Sequence, residues 1–175
     1  MLLNNYRQYK RTQFTGNGHT CVNTSGSSFS ATSSDYQRMY GEIGYAMRKA
    51  LSGVPTNTGN GNAGVVFGTG TTPPTVDDYT LENPLTDGVS FSASGVSKTL
   101  SDSKDKFFAT YTITNTSNAE IAVSEIGVIG CVAYGTSSGA LYPTLMERTV
   151  IKPITIQPGS AGTVTFEISL EYDVN

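Results

Sequence analysis

The sequence predicts a mainly β protein: an antiparallel β-sandwich, jelly-roll or Ig-like, with an N-terminal extended arm and one amphipathic helix. The 175-residue chain is polar but weakly charged, with 14% charged residues, 37% hydrophobic residues and a net charge of -3. Such a composition excludes a disordered chain, which needs high net charge and few apolar residues. Short alternating runs separated by Gly and Pro turns are typical of sandwiches and barrels.

Residues 1–33 are predicted to form the extended arm. The stretch Gly16–Ser28 has no helical period and few apolar residues, so it cannot build a core of its own. Because ordering a residue costs about 1–2 kcal/mol of backbone entropy, we expect the arm to be held by other subunits. Aromatic residues are enriched at interfaces. The candidate assembly contacts are therefore Tyr6, Tyr9, Phe14 and Phe29. An arm that folds back on its own domain is the alternative.

The amphipathic helix is predicted at 34–53. Ser34 and Gln37 form a capping box at its start, and Gly53 is a stop signal. Apolar or small residues recur at a spacing that places them on one helical face. These residues are Tyr36, Met39, Tyr40, Ile43, Met47, Ala50 and Leu51. We expect this face to cover an edge or a face of a sandwich, either its own or a neighbour's.

A Gly/Asn linker at 54–64 precedes the predicted sandwich domain at 65–175. The alternating runs are Val89–Ala93, Phe107–Thr114 and Thr163–Tyr172, the last with Val164, Phe166, Ile168, Leu170 and Tyr172 on one face. Asn115–Asn118 and Pro158-Gly159 are predicted turns. Glycines in the run Gly127–Val132 indicate a bulge or bend.

The sequence predicts no catalytic, cofactor-binding or metal-binding residues, and the protein is not expected to be an enzyme. Gly59–Gly64 matches G-x-G-x-x-G, but the dinucleotide motif must follow a strand and open a helix. His19 and Cys21 could offer two metal ligands or a nucleophile with its base, yet a structural zinc site needs four ligands. Cys131 stands in an apolar run and is interpreted as a small buried hydrophobe.

Paired carboxylates are the other chemistry-bearing residues. Asp102 and Asp105 alternate with lysines, as expected of a solvated hairpin loop. Asp77 and Asp78 could belong to a calcium site, although they lack the usual series of spaced ligands. The enzyme alternative is a glycan-cleaving protein with two acidic residues facing each other across a groove. Asn23–Ser25 and Asn115–Ser117 match the glycosylation acceptor, which has no expected use without a secretory signal.

The expected partners follow from charge and hydropathy. A pI near 5.0 supplies no general attraction to phosphate, so no direct nucleic-acid specificity is expected. No stretch approaches 18 apolar residues, so no membrane-spanning helix is expected. Sandwich hairpins leave edges that a protein must cover, and symmetric assembly covers them. We therefore expect a homo-oligomer.

Three pairs of stretches follow one another through residues 63–172: Gly68–Thr75 with Asp78–Leu85, Ala109–Thr116 with Ile121–Val128, and Glu147–Val150 with Ile154–Phe166. Their succession resembles small β-rich structural proteins of tailed-bacteriophage virions, found among tail, neck and capsid-attached components. The resemblance implies a non-enzymatic building block in the virion that contacts other virion proteins. It supplies no catalytic residue.

A receptor- or glycan-binding fibre module is the alternative function. Such a module would expose Tyr and Asn side chains on loops at one end of the sandwich, for instance around Tyr134, Tyr142 and Tyr79. Packing in a core or an interface is the simpler interpretation of these tyrosines.

Overall fold

A computed structural model describes residues 3–5, 8, 19–31, 64–100, 104–134 and 140–171. All elements of regular structure with bounds in these ranges are β-strands. They are β1 (His19–Val22), β2 (Ser28–Ala31), β3 (Gly64–Gly68), β4 (Val89–Leu100), β5 (Lys104–Asn115), β6 (Ile121–Tyr134), β7 (Ala140–Ile156) and β8 (Ala161–Glu171). The prediction of a mainly β protein is confirmed. The predicted helix at 34–53 lies outside the described residues.

The strands form three antiparallel sheets. Strands β1 and β2 make a two-stranded sheet, and the other two sheets have the orders β3-β6-β7 and β4-β5-β8. The predicted turn at Asn115–Asn118 joins β5 to β6, and the turn at Pro158-Gly159 joins β7 to β8. Each of these short connections therefore carries the chain from one three-stranded sheet to the other.

One apolar cluster is shared by the two three-stranded sheets. It contains Val65, Phe67, Val123, Ile126, Val128 and Ile156 from one sheet, and Tyr111, Ile113 and Val164 from the other. The Phe67 ring lies 5.6 Å from both the Phe91 and Tyr111 rings, stacked on the first and edge-on to the second. Burial raises the pKa of Tyr111 to about 12. Alternation in β5 thus buries Tyr111 and Ile113, as the sequence predicts.

The pairing of β6 with β7 has two register shifts. One lies between Val123 and Glu125, the other between Val128 and Ile129. A bulge reverses the faces of the strand that holds the extra residue. After the first shift Ile126 belongs to the shared core, and Glu125 belongs to the opposite face of the sheet. At the second shift the extra residue is Met146 of β7, which lies opposite the run of β6 where glycines predict a bulge.

The opposite face of the β3-β6-β7 sheet is covered by a loop and by the N-terminal segment. Leu3, Leu81 and Leu145 form a second buried cluster there. A Cβ at Gly127 would lie 2.8 Å from Leu81 and 2.9 Å from Leu145, so these leucines pack directly on the strand backbone. The sheet is consequently buried on both faces.

The described parts of residues 1–33 differ from the predicted extended arm. Residues 19–31 form the β1-β2 hairpin because Asn23 Oδ1 accepts bonds from Ser25 N (3.1 Å) and Ser27 N (2.8 Å), closing the turn. Asn5 joins β1 to β7 by accepting from Val22 N at 2.8 Å and donating to Leu145 O at 3.3 Å. These contacts agree with the alternative, an arm folded back on its own domain.

Within the described ranges no helix is long and apolar enough to cross a membrane.

Candidate functional site

The site with the densest polar chemistry lies on the covered face of the β3-β6-β7 sheet, where loop 69–83 crosses it. Strand β6 contributes Glu125 and strand β7 contributes Arg148. The two side chains are 0% and 3% exposed, and Arg148 Nε lies 2.5 Å from Glu125 Oε1. A buried charge of either sign is tolerated only when it is paired and hydrogen-bonded, so this ion pair is the centre of the site.

The Glu125 carboxylate also binds backbone N–H groups of the loop. Its Oε1 accepts from Glu82 N at 2.7 Å, and its Oε2 accepts from Asn83 N at 3.3 Å. Ser124, the neighbouring residue at the bulge, donates from its hydroxyl to Gly70 O at 2.9 Å. The strand therefore holds both ends of loop 69–83 with buried polar groups.

Arg148 holds the middle of the same loop. Its NH1 lies 2.7 Å from Asp78 Oδ2, and its NH2 donates to Thr72 O at 3.2 Å. A longer ion pair of 3.5 Å reaches Glu82 Oε2. The planar guanidinium supplies five donors in a fixed arrangement, which lets one side chain join three separate points of the loop to the strand.

The loop's own carboxylates complete the network. Glu82 accepts from the backbone of Thr71 (2.9 Å) and Thr72 (2.8 Å), and from the Thr72 hydroxyl (2.7 Å). Asp78 accepts from Thr75 N at 3.0 Å and from the Thr75 hydroxyl at 2.7 Å. The Asp78 carboxylate closes a turn with Thr75, since a side-chain oxygen replaces a backbone acceptor. The Glu82 carboxylate joins the two ends of the loop.

Two glycines allow the loop to approach Glu125 this closely. A Cβ at Gly70 would lie 2.7 Å from both Glu125 Oε2 and Glu82 Cβ. A Cβ at Gly68 would overlap Glu125 Oε2 and lie 2.7 Å from Asn83 O. The Gly68-Thr69-Gly70 sequence is thus required by the buried carboxylate.

The electrostatics keep the carboxylates of the loop ionised. Partial burial opposes ionisation of Asp78, but hydrogen bonds from Thr75 and Arg148 outweigh it and lower the pKa of Asp78 below its usual value. Hydrogen bonds from Thr72 lower the pKa of Glu82 in the same direction. The pKa of Arg148 is raised, since its bonds to Asp78 and Glu125 outweigh the cost of burial.

A surface pocket of about 380 Å³ lies over this network. Its wall includes Thr72, Asp77, Asp78, Tyr79, Glu82 and Arg148. Tyr79 is 42% exposed, and its ring packs over the backbone of Gly26 in the β1-β2 turn, where a Cβ would lie 3.3 Å away. The pocket thus combines an aromatic face with net negative charge on a loop that is fixed in place.

The pKa shifts of Asp78 and Glu82 can be compared with those that the enzyme alternative requires. A glycoside hydrolase needs one carboxylic acid with a raised pKa as its general acid. The pKa values of Asp78 and Glu82 are both lowered, and Arg148 binds both side chains. Both carboxylates are bound by groups of the loop and by Arg148.

The structure also describes the residues that the sequence suggested for metal binding and for nucleophilic chemistry. Asp78 binds Arg148 and Thr75. Its carboxylate is therefore already occupied and does not form the calcium site suggested for Asp77 and Asp78. Across the described ranges no group of three or more His, Cys, Asp or Glu side chains could hold a metal ion. Cys21 is fully buried in β1, and burial raises the pKa of its thiol to about 11, so it is a poor nucleophile beside His19.

Several predicted residues lie where the structure describes no side chain. Gly59–Ala63 and Asp102 are outside the described residues, and only the backbone of Asp105, Cys131 and Tyr134 is described. Gly64 begins β3, so the glycine motif leads into a strand, as the sequence indicates.

Of the candidate assembly contacts, only Phe29 is described. Its ring stacks on Tyr142 of the same chain with centroids 4.8 Å apart. This contact also engages one of the tyrosines suggested for glycan binding. Tyr6, Tyr9 and Phe14 lie outside the described residues, and their role in assembly stays a prediction.

The two Asn-x-Ser motifs have a structural use. In each, the serine hydroxyl donates to the asparagine Oδ1 at 2.7 Å: Ser25 to Asn23, and Ser117 to Asn115. Asn115 is fully buried and donates from Nδ2 to Ala119 O (2.7 Å) and Ile156 O (3.0 Å). Both motifs are therefore turns closed by an asparagine side chain.

Glu125 and Arg148 are the residues that reasoning from the sequence missed. A signal was present: each is a charged residue inside a strand of mostly apolar or β-branched residues. Charged side chains are almost never fully buried unless they are paired. Two opposite charges in two adjacent buried strands would have pointed to such a pair.

The chain was compared with protein-family models, curated proteins and solved structures, and none of them matches it.

Proposed function

We propose that this protein is a non-enzymatic structural protein of a tailed-bacteriophage virion, assembling as a symmetric oligomer at the tail, neck or capsid surface. In this proposal the two three-stranded sheets form an antiparallel β-sandwich, and the partners are further copies of the chain and other virion proteins. The support is a resemblance in the order of sequence stretches, together with the core shared by the two sheets and the edge strand β8.

The sandwich is supported by the shared core. Residues from both three-stranded sheets meet in one apolar cluster, with Phe67 of β3 between Phe91 of β4 and Tyr111 of β5. A turn of five residues at 116–120 and a turn of four residues at 157–160 carry the chain between the sheets, as aligned sandwich packing allows.

The main support for assembly is that β8 is an edge strand. It has 11 residues and pairs with β5 alone among the described strands. Its first half, residues 161–165, has no charged residue, and Ala161, Thr163 and Thr165 are exposed; Glu167 and Glu171 lie in the second half. An uncharged edge is a template for pairing with another chain, and proteins commonly guard such edges with lysine or proline. A partner copy would cover this edge.

Two measurements test whether the chain forms an oligomer and whether it is part of the virion. Thr163→Lys with Thr165→Lys adds guarding charges to the β8 edge, and Asn118→Lys with Ser160→Lys adds the same charge at exposed turns. We expect the first variant to lose the oligomer in light scattering and the second to keep it. An antibody against the chain should label purified phage particles by electron microscopy; unlabelled particles, or a monomeric parent protein, would contradict the proposal.

A second candidate function is the receptor- or glycan-binding fibre module. It is favoured by Tyr79, whose ring is exposed beside the polar pocket and held in place by Gly26. A fixed aromatic face with neighbouring hydroxyl and carboxylate groups suits a sugar ring. On a glycan array, reproducible binding that Tyr79→Ala abolishes and Val76→Ala leaves intact would favour this function over a purely structural role.

A further inference from the structure

Among the described strands, the two three-stranded sheets end in four edge strands, β3, β7, β4 and β8. Strand β3 has only five residues, and Pro84 bridges to its end at Gly68. Strand β4 has an irregular register between Ser94 and Val96. Short edges, proline and bulges are common means of preventing a sheet edge from pairing with another chain. Both strands therefore carry such a protection.

Strand β7 is protected as well. Leu3 N donates to Met146 O at 3.0 Å, so the N-terminal segment covers part of its first half. In its second half Lys152 and Pro153 are both exposed, and lysine and proline are typical guards of an edge. Among the described edges, residues 161–165 of β8 are thus the segment without such a feature.

The direction of the backbone groups in this segment follows from its pairing with β5. Asn115 N donates to Ser160 O at 2.9 Å, and beyond this bond β8 pairs with β5 in unbroken register. Because successive residues of an antiparallel strand bond alternately to either side, the backbone groups of Gly162 and Val164 point to β5. The N–H and C=O groups that point away from β5 belong to three residues whose side chains are also exposed: Ala161, Thr163 and Thr165.

A second copy of β8 can bond all of these backbone groups at once. In a pair related by a two-fold axis, residue i faces residue j and residue j faces residue i. With the axis at Thr163, the two copies of Thr163 face each other, and Ala161 of each copy faces Thr165 of the other. Threonine pairs across strands are favourable, whereas like charges directly opposite each other destabilise a sheet. An axis at Glu167 would create such a like-charge pair.

We propose that β8 forms a two-fold interface, in which residues 161–165 pair antiparallel with the same residues of a second copy and Thr163 lies at the axis. The pairing joins two β4-β5-β8 sheets into one sheet of six strands and covers the unprotected edge of both copies. This interface rests on the proposed assembly through β8, and it adds the identity of the partner strand and the register.

Disulfide formation in the full chain tests the register. Thr163→Cys places two thiols across the axis, where the Cα atoms of a bonded pair lie about 5.5 Å apart, which suits a disulfide. Ala161→Cys is the matched control, because it is exposed on the same edge but its two copies are offset by four residues, about 13 Å along the strands. After mild oxidation, Thr163→Cys should run mainly as a covalent dimer on a non-reducing gel. Ala161→Cys should stay at the level of the parent, which accounts for Cys21 and Cys131.

Thr163→Cys at the parent level would overturn the proposal. Equal crosslinking of both variants would also overturn it, since it indicates chance collision, and crosslinking of Ala161→Cys alone would indicate a different register. If Thr163→Cys does not fold, Ala161→Cys with Thr165→Cys is the second test, because the pairing places these two thiols opposite each other between copies; no dimer would then overturn the proposal.

Light scattering on the parent protein separates this interface from the proposed function. A monomeric parent contradicts the proposed function and the interface together. An oligomeric parent whose Thr163→Cys variant forms no covalent dimer contradicts the interface alone.

Discussion

Arg148 Nε and Glu125 Oε1 lie 2.5 Å apart, between two adjacent strands and away from solvent. The pair is more than a local contact, because Glu125 holds the backbone of Glu82 and Asn83 while Arg148 holds Asp78 and Thr72. Loop 69–83 therefore takes its shape from charges on β6 and β7. The surface that carries Val76 and Tyr79 is fixed by this network.

Replacing Arg148 with methionine should be among the most destabilising single changes. Methionine fills similar space but leaves Glu125 buried without its counter-ion, and breaking a buried pair in this way costs about 3–5 kcal/mol. We expect the free energy of unfolding, measured with urea, to fall by that amount.

The double variant Glu125→Leu with Arg148→Met separates the two contributions. Replacing a whole buried pair with apolar side chains is often close to neutral, although Glu82 N and Asn83 N then lose their acceptor. We expect the double variant to be more stable than Arg148→Met alone. If the two changes simply add, the two side chains are not coupled.

Gly68→Ala should destabilise the protein by about 1–3 kcal/mol, as overpacking does. The added Cβ meets Glu125 and the backbone of Asn83, neither of which can move without breaking the network. Gly159→Ala is the comparison: its φ is +72° and no atom lies within 4 Å of the Cβ position, so only backbone strain of about 1–2 kcal/mol applies. Thermal unfolding should rank Gly68→Ala below Gly159→Ala.

The strands and their buried faces could be predicted from the sequence wherever apolar and polar residues alternate regularly. Tyr111 and Ile113 in β5, and Val164 in β8, were assigned to a core from their spacing, and the structure buries them. Such reasoning did not find the register shift between Val123 and Glu125. The irregular pairing at this point reverses the faces of β6, and it places Glu125 on the loop side of the sheet.

The candidate site was harder to predict because its members are far apart in the chain. Asp78 and Arg148 are separated by 70 positions, and only the pairing of β6 with β7 brings Glu125 and Arg148 together. Sequence reasoning considered Asp77-Asp78 for calcium because it saw only neighbours in sequence. The hairpin at 19–31 was missed for a different reason: Asn23 closes its turn through bonds to the backbone of Ser25 and Ser27, which apolar patterning does not show.

Stability should fall in acid, and Asp78 should account for part of the fall. A carboxyl group whose pKa is lowered by folding stabilises the native state above its unfolded pKa. That contribution is lost as the pH drops through the folded pKa. For Asp78 the loss begins near the ordinary value of 3.8 and continues below it. Asp78→Asn should be less stable than the parent at pH 7, and the difference should shrink by pH 3. A difference in urea midpoint that is the same at pH 7 and pH 3 would contradict this.

Asn115→Ala should loosen the connection between the two three-stranded sheets. The buried side chain satisfies Ile156 O and Ala119 O and closes the Ser117 turn. Leaving a buried acceptor unsatisfied costs about 1–3 kcal/mol. We expect a loss of at least this size in the free energy of unfolding. Asn118→Ala, an exposed change in the same turn, should have little effect.

The N-terminal segment should have two separable roles, one in folding and one in assembly. Leu3 is fully buried against Leu81 and Leu145, so Leu3→Ala should lower the free energy of unfolding by about 2–5 kcal/mol. The predicted assembly contacts Tyr6, Tyr9 and Phe14 should behave differently. Their triple change to serine should lower the oligomeric state in light scattering and leave the melting temperature of the dissociated chain near that of the parent.

Phe29 provides the internal comparison for this prediction. Its ring already stacks on Tyr142 of the same chain, so Phe29→Ala should reduce stability without changing the oligomer. A triple variant that stays fully oligomeric and also incorporates into particles would show that the segment serves only its own domain. In that case deletion of 1–33 would act by exposing Leu81 and Leu145, and the subunit contacts would have to come from the sheet edges alone.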